Sequence, residues 1–182
     1  GETNRLMDLA KQVDSVPTAR ELDVLLSAGE QVSMALLAMT LNKLGYAARS
    51  LTGAQANIVT DNQHNDATIK HIDTSTIMDL LQQDQIVIVA GFQGVNENGD
   101  ITTLGRGGSD TSAVTLAGAL SADECQIFTD VDGIYTCDPR VVKNAQKMAV
   151  IDFPSMEAMA SRGAKVLHLP SVQFAWKNTV PL

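Results

Sequence analysis

Ile86-Val87-Ile88-Val89-Ala90-Gly91-Phe92-Gln93-Gly94 joins an unbroken apolar run to a turn bearing two glycines. An apolar run without alternation reads as a strand buried on both faces of a parallel sheet, and ligands in open α/β sheets sit where such strands end. Asn98-Gly99 is a two-residue hairpin signal, so Val95 to Leu104 is expected to be an antiparallel excursion. The excursion runs into Thr103-Leu104-Gly105-Arg106-Gly107-Gly108-Ser109-Asp110-Thr111-Ser112-Ala113. Its glycines let backbone N–H groups approach a ligand, and the helix that follows offers its positive dipole end to the same place. Arg106 adds a planar fork suited to a carboxylate or a phosphate, and Asp110 stands where it caps the helix or holds something cationic. Taken alone, the loop fits an anion site and a plain strand-to-helix connection equally well.

Upstream, residues 1–13 read as a helix with Leu6, Leu9 and Val13 on one face. Thr18 and Glu21 suggest a capping box for a short second helix, and Ser27-Ala28-Gly29-Glu30 opens a longer third whose buried stripe is Met34, Leu37, Leu41 and Leu44. Short strands are expected at 47–51, 58–60 and 67–72, with the polar run 61–66 a loop, followed by a Thr74-capped helix carrying Ile77, Leu80 and Leu81. Downstream come a helix over 110–121, a second central strand from Cys125 to Val131, and a charged loop from Asp130 to Arg140. An extended Met148 to Ile151, a Ser155-capped helix through Arg162, a helix from Pro170 to Trp176 and the start of a strand at Val180 complete the chain. This alternation predicts a three-layer α/β/α fold with a mostly parallel sheet and one antiparallel hairpin excursion.

A chain of 182 residues, 45% of them hydrophobic, suits one domain with one core. The net charge of −8 argues against nucleic acid or an anionic membrane as the main partner. Cys125 and Cys137 fit neither a zinc nor a redox spacing, so a reduced, cytoplasmic setting is expected. His64, His71 and His168 are scattered, and no metal site is expected among them. No stretch is read as apolar enough, over enough residues, to span a bilayer.

With these strand-end loops in hand, the sequence resembles the aspartate kinase branch of the amino-acid kinase family. The resemblance rests on Ser27-Ala28-Gly29-Glu30, Gly91-Phe92-Gln93-Gly94, the loop from Thr103 to Ala113, the segment Thr129 to Arg140, and Gly163-Ala164-Lys165-Val166-Leu167-His168. Gly105-Arg106-Gly107-Gly108-Ser109-Asp110 is the most specific of these, whereas Asp130-Val131-Asp132-Gly133-Ile134-Tyr135 has a counterpart in uridylate kinases.

The resemblance implies phosphoryl transfer from ATP, with Mg²⁺, to the side-chain carboxylate of L-aspartate. The product is 4-aspartyl phosphate, at the entry to lysine, threonine and methionine synthesis, and the family suggests a homodimer. Carried over residue by residue, Glu30 holds the substrate ammonium and Arg106 its α-carboxylate, while Thr3, Phe92, Gly107 and Ser109 line that pocket. Thr129, Asp130, Tyr135, Asp138 and Arg140 fall on nucleotide contacts. Lys165 supports the phosphates and, with Asp110, makes up the catalytic pair. The chemistry is coherent, because phosphoryl transfer needs alignment and charge neutralisation more than covalent help. The attacking carboxylate is already ionised at neutral pH, so no general base is required.

The family's Lys-Phe-Gly-Gly motif is missing, and Gly1-Glu2-Thr3-Asn4 resembles the tail of a further motif. The family's regulatory domains are missing too. The resemblance therefore implies an internal piece of a longer enzyme, with weak nucleotide binding and little turnover. Two other functions compete: a uridylate kinase, against which the Arg106 loop argues, and a non-catalytic nucleotide-binding or dimerisation module. Plainer roles stand beside the sharp ones. Glu30 also reads as a capping partner of Ser27, Lys165 as a cation at a helix end, and Asp130 and Asp132 as turn residues.

Overall fold

Helix α1 (Glu2–Val13) and the 25-residue helix α2 (Ala19–Lys43) pack on one another through Leu6, Ala10, Leu22 and Leu26. They open a computed structural model that describes residues 1–164 and 166–182. The two helices expected between Thr18 and Leu44 are one, and Ser27-Ala28-Gly29-Glu30 lies in its interior. Ser27 is buried and its hydroxyl donates to the Val24 carbonyl at 2.8 Å, so the serine is satisfied within the helix instead of starting one. Gly29 serves the crossing with α1, since a β-carbon there would stand 3.3 Å from Glu2 Cγ. Thr18 holds the N-cap position without a side-chain bond, so the expected capping box does not form. Of the expected stripe, Met34 and Leu41 are half-buried, whereas Leu37 and Leu44 are exposed.

Merged in this way, α2 is long and apolar enough to cross a membrane by length and composition alone, which corrects the sequence expectation. In this fold it forms a layer against strands β1 (Ala48–Leu51), β4 (Ile86–Val89) and β6 (Ile101–Thr103).

The strands form two sheets. In one, β1 pairs in parallel with β4, setting Ala48 opposite Ile86 and Leu51 opposite Val89. The other has the order β3-β2-β5-β6, built from β2 (Ile58–Thr60), β3 (Ile69–Ile72), β5 (Gln93–Val95) and β6. There β2 and β5 run parallel, while β2–β3 and β5–β6 are antiparallel. The α/β class holds, but the sheets are mixed instead of mostly parallel. Strand β4 pairs along one edge only among the described residues, so Ile86 is exposed and Val87 to Val89 are half-buried instead of doubly covered. The Asn98-Gly99 hairpin forms as expected, with Gly99 at φ +81° and the Asn96 carboxamide oxygen accepting from the amides of Asn98 and Asp100.

Helix α3 (Ser75–Gln82) shares a core with β1 and β2 through Leu51, Ala56, Ile58, Ile77 and Leu80. Its first turn is held by the Asp73 carboxylate, which accepts from Ser75 N at 3.0 Å, and the Thr74 side chain makes no cap bond. Helix α4 (Gly108–Ala119) packs against α6 (Leu169–Asn178) around Val114, Ala117, Cys125, Ala175 and Val180. Helix α5 (Phe153–Ser161) is capped by Asp152, which accepts from Ser155 N at 2.8 Å, and not by Ser155.

Cys125 to Val131 is not a strand. One bond, from Cys125 N to the Pro181 carbonyl at 2.8 Å, is all the pairing it has with the Val180-Pro181-Leu182 segment, and Phe128 is 90% exposed. An apolar run becomes a strand only where a second strand completes its ladder, and none lies beside it among the described residues.

Candidate functional site

The glycine loop is built by close contacts. Gly105 and Gly107 lie at φ +71° and +75°, where glycine costs least. A β-carbon on Gly105 would stand 2.9 Å from Asp66 Oδ1, and one on Gly107 would stand 2.4 Å from His168 Cγ. On Gly108 it would meet Leu104 Cβ at 2.8 Å and Phe92 Cδ2 at 2.9 Å. Arg106 sits between two such pinned positions. It is exposed, and it makes no hydrogen bond or ion pair among the described residues.

Helix α4 starts at Gly108, two residues earlier than expected, with Gly107 in the N-cap position. Asp110 therefore lies in the first turn and does not cap. Its half-buried carboxyl is pushed above the ordinary carboxylate value by burial, against a smaller lowering by His168. His168 Nδ1 is the one buried side-chain polar atom without a hydrogen-bond partner among the described residues.

Phe92 joins the loop to α1 and α2. It takes φ +67°, an unusual conformation for an aromatic residue and one that costs free energy. Buried Ser112 holds it there, because the hydroxyl accepts from Phe92 N at 2.9 Å and donates to the Gly108 carbonyl at 2.8 Å. Phe92 also packs against the α1–α2 cluster of Leu6, Ala10, Leu22 and Leu26. Beside that cluster lies Glu30, half-buried, its carboxyl raised above the ordinary value first by burial and further by the neighbouring charge of Glu2. Thr3 is exposed in the first turn of α1, next to Glu2.

Thus Phe92, Gly107, Gly108 and Ser109 come together, with Ser109 Cα 3.6 Å from where a Gly91 β-carbon would stand. Glu30 and Thr3 lie on α2 and α1, whose crossing at Gly29 and Glu2 adjoins the cluster that Phe92 packs against. An apolar groove of about 470 Å³ passes Gly91, Ser109 and Ser112 and follows β4 toward Val87.

The residues expected on the nucleotide side form a second group. Thr129 Oγ1 donates to Asp130 Oδ1 at 3.2 Å, and the Tyr135 hydroxyl donates to both Asp132 oxygens at 3.0 and 3.1 Å. Lys147 Nζ lies 3.6 Å from Asp132, and Tyr135 bridges Lys147 across an isolated backbone pair. Arg140 grips Asp138 through Nε at 3.0 Å and Nη2 at 2.9 Å, so its fork is engaged. A groove of about 660 Å³ runs past Ile127, Thr129, Asp132, Gly133, Met148 and Leu167. Lys165, expected to be catalytic, lies outside the described residues.

Sequence reasoning missed three contributors. His168 closes the Gly163–His168 motif and is pressed on Gly107. Lys147 shares Asp132 with Tyr135. Asp23, fully buried between Leu22 and Leu26, binds the segment leading to Gly105. An aspartate on the apolar face of a helix was the available signal for the last of these.

An exposed guanidinium at a helix start can receive a carboxylate or a phosphate. The family model described as the amino acid kinase family matches residues 1–182, and the chain belongs to that family. Within that family the chain is similar to aspartate kinases. An aspartate kinase from Pseudomonas putida is 59% identical over 182 residues, which is 100% of this chain and 44% of that protein. The solved structure of aspartate kinase from Synechocystis matches with a TM-score of 0.84 at 46% identity, covering 98% of this chain and 29% of that one. E. coli aspartokinase III in complex with aspartate and ADP, in its R-state, matches with a TM-score of 0.82 at 34% identity, covering 96% of this chain and 40% of that one. The chain thus spans less than half the length of these relatives.

Proposed function

We propose that this chain carries the amino-acid-binding part of an aspartate kinase, the enzyme that transfers the γ-phosphoryl group of ATP to the side-chain carboxylate of L-aspartate. The observation that carries this reading is Arg106, an exposed fork without an internal partner, held between two glycines pinned by close contacts. Identity to aspartate kinases supports the choice of substrate.

In this reading Arg106 takes the α-carboxylate, Glu30 the ammonium, and Phe92 closes the pocket wall between them. The start of α4 offers the backbone N–H of Ser109 to negative charge, that of Gly108 being donated to the Gly105 carbonyl at 3.2 Å. The substrate's side-chain carboxylate attacks in its ionised form, so no residue has to remove a proton. Thr129, Asp130 and Tyr135 line the nucleotide side. Arg140 serves the phosphates once its fork leaves Asp138. Lys165 and Asp110 complete the charge arrangement around the transferring group, the lysine compensating the phosphates and the aspartate orienting it.

The described residues hold no cluster of three metal-ligating side chains. In this reading Mg²⁺ would arrive with the nucleotide, held by phosphates and few protein groups, as is common for this ion. When bound it supplies charge neutralisation on the phosphates. The reading extends to a cytoplasmic homodimer in lysine, threonine and methionine synthesis, and to this chain as a piece of a longer catalytic domain.

The test is calorimetric titration of the chain and of Arg106→Ala with L-aspartate, Mg-ATP and UMP. The expected result is L-aspartate binding that weakens at least tenfold in the variant while Mg-ATP binding stays the same. UMP binding in place of L-aspartate, or equal L-aspartate affinity in both proteins, overturns the reading.

A further inference from the structure

Asp23 is 0% exposed on α2 and takes no part in the chemistry above. A buried carboxylate is costly unless donors surround it. Here they come from two segments distant in sequence. Thr103 Oγ1, at the end of β6, donates to Oδ1 at 2.5 Å. From the loop before β3, His64 Nδ1 lies 2.6 Å from Oδ2, Asn65 N donates to Oδ1 at 3.1 Å, and the Asn65 carboxamide donates to Oδ1 at 2.5 Å.

Both segments converge on the glycine loop. Thr103 stands two residues before Gly105 and delivers the chain into it. Asn65 and Asp66 form the wall that Gly105 touches, since a β-carbon there would stand 3.1 Å from the Asn65 carbonyl oxygen and 2.9 Å from Asp66 Oδ1. Asn65 itself takes φ +65° and is held in that conformation by Asp23 and by a 2.9 Å bond from its carboxamide to the Ala19 carbonyl. Ala67 N donates to the Thr103 carbonyl at 2.9 Å and ties the two segments together. One carboxylate therefore sets both the end of the strand that leads to Arg106 and the surface on which its loop rests.

We propose that Asp23 is the positioning residue of the Arg106 loop, acting through Thr103, His64 and Asn65 to set where the guanidinium meets the substrate carboxylate. The proposal rests on the aspartate kinase reading for the identity of that carboxylate. An apolar residue at position 23 would serve packing alone at least as well. The carboxylate gives the loop a single position, because each donor accepts only one geometry.

The experiment compares the chain with Thr103→Val, Thr103→Ser and Asp23→Asn, by amide hydrogen exchange and by titration with L-aspartate and with Mg-ATP. In Thr103→Val the amides of residues 104–109 exchange about tenfold faster while those of α3 and α6 keep their protection, as expected when one local tether is cut. L-aspartate affinity falls about tenfold in the same variant, by the same loss of one charge-assisted bond, and Mg-ATP affinity does not change. Thr103→Ser restores both. Faster exchange confined to residues 61–66 in Thr103→Val, or an equal loss of L-aspartate and Mg-ATP affinity in Asp23→Asn, overturns the proposal. Should the parent chain bind no L-aspartate, the substrate reading fails by itself, and the exchange at 104–109 still decides the role of Asp23.

Discussion

The imidazole of His168 lies against the Cα of Gly107, so close that a β-carbon at position 107 would stand 2.4 Å from its Cγ and 2.7 Å from its Cβ. This contact joins the start of α6 to the loop that carries Arg106, and it makes the two residues one unit. Gly107→Ala meets both the ring and the cost of φ +75°, and is expected to destabilise the chain by about 1–3 kcal/mol. Adding His168→Gly removes both the ring and the β-carbon from the collision and leaves the backbone strain, so the double variant recovers part of the loss. Melting of the two single variants and the double variant checks this, and strictly additive losses would contradict the contact.

Glu30 links stability to binding through its raised carboxyl. Burial first, and the Glu2 charge after it, lift the folded value above the ordinary one. The folded chain then holds this proton more tightly than the unfolded chain does. Stability from Glu30 is therefore lost as pH rises from the ordinary carboxylate value through the raised one. Glu30→Gln escapes that loss, so it is expected to be more stable than the parent at neutral pH, with the advantage vanishing in acid. Urea unfolding of both proteins across the carboxylate range measures it. The same variant should lose L-aspartate affinity at neutral pH, while the parent loses affinity only as acid protonates Glu30.

Ser112 supports the unusual conformation of Phe92 with a single hydroxyl. Ser112→Ala leaves the Phe92 amide and the Gly108 carbonyl without that partner, which is expected to cost about 1–3 kcal/mol for a buried unsatisfied group. Chemical denaturation gives the loss, and faster exchange of the Phe92 amide locates it.

Arg106 should show the opposite profile. It is exposed and has no partner among the described residues, so Arg106→Ala is expected to change stability by less than about 0.5 kcal/mol. A larger loss on melting would mean that the guanidinium serves the fold and not a ligand.

Arg140 lies between these cases. Its bidentate pair with Asp138 is mostly solvent-exposed and screened by water, so Arg140→Ala is expected to leave stability nearly unchanged. Its effect should appear in Mg-ATP titration, where the phosphates lose a guanidinium.

Much of this molecule was legible in the chain itself. The Asn98-Gly99 hairpin, the strand at 58–60, helices α1, α3 and α6 and the glycine loop at 105–108 follow from chemistry that acts within a few residues: positive φ at glycine, the helical period of leucines, proline at a helix start. The family was legible for the same reason, because its motifs are short loops at the ends of elements. Tertiary structure decided what depends on a distant partner. Ser27 and Gly29 look like a helix start until Val24 satisfies the one and α1 crosses at the other. Cys125 to Val131 has the composition of a strand, yet its ladder needs a neighbour that it meets through one bond. Thr74 keeps the N-cap position without a side-chain bond while the Asp73 carboxylate takes the Ser75 amide, and Asp152 caps α5 by taking the amide of Ser155 itself. Asp23 gained its role only when Thr103, His64 and Asn65 folded around it, because a buried charge takes its meaning from the donors that replace water.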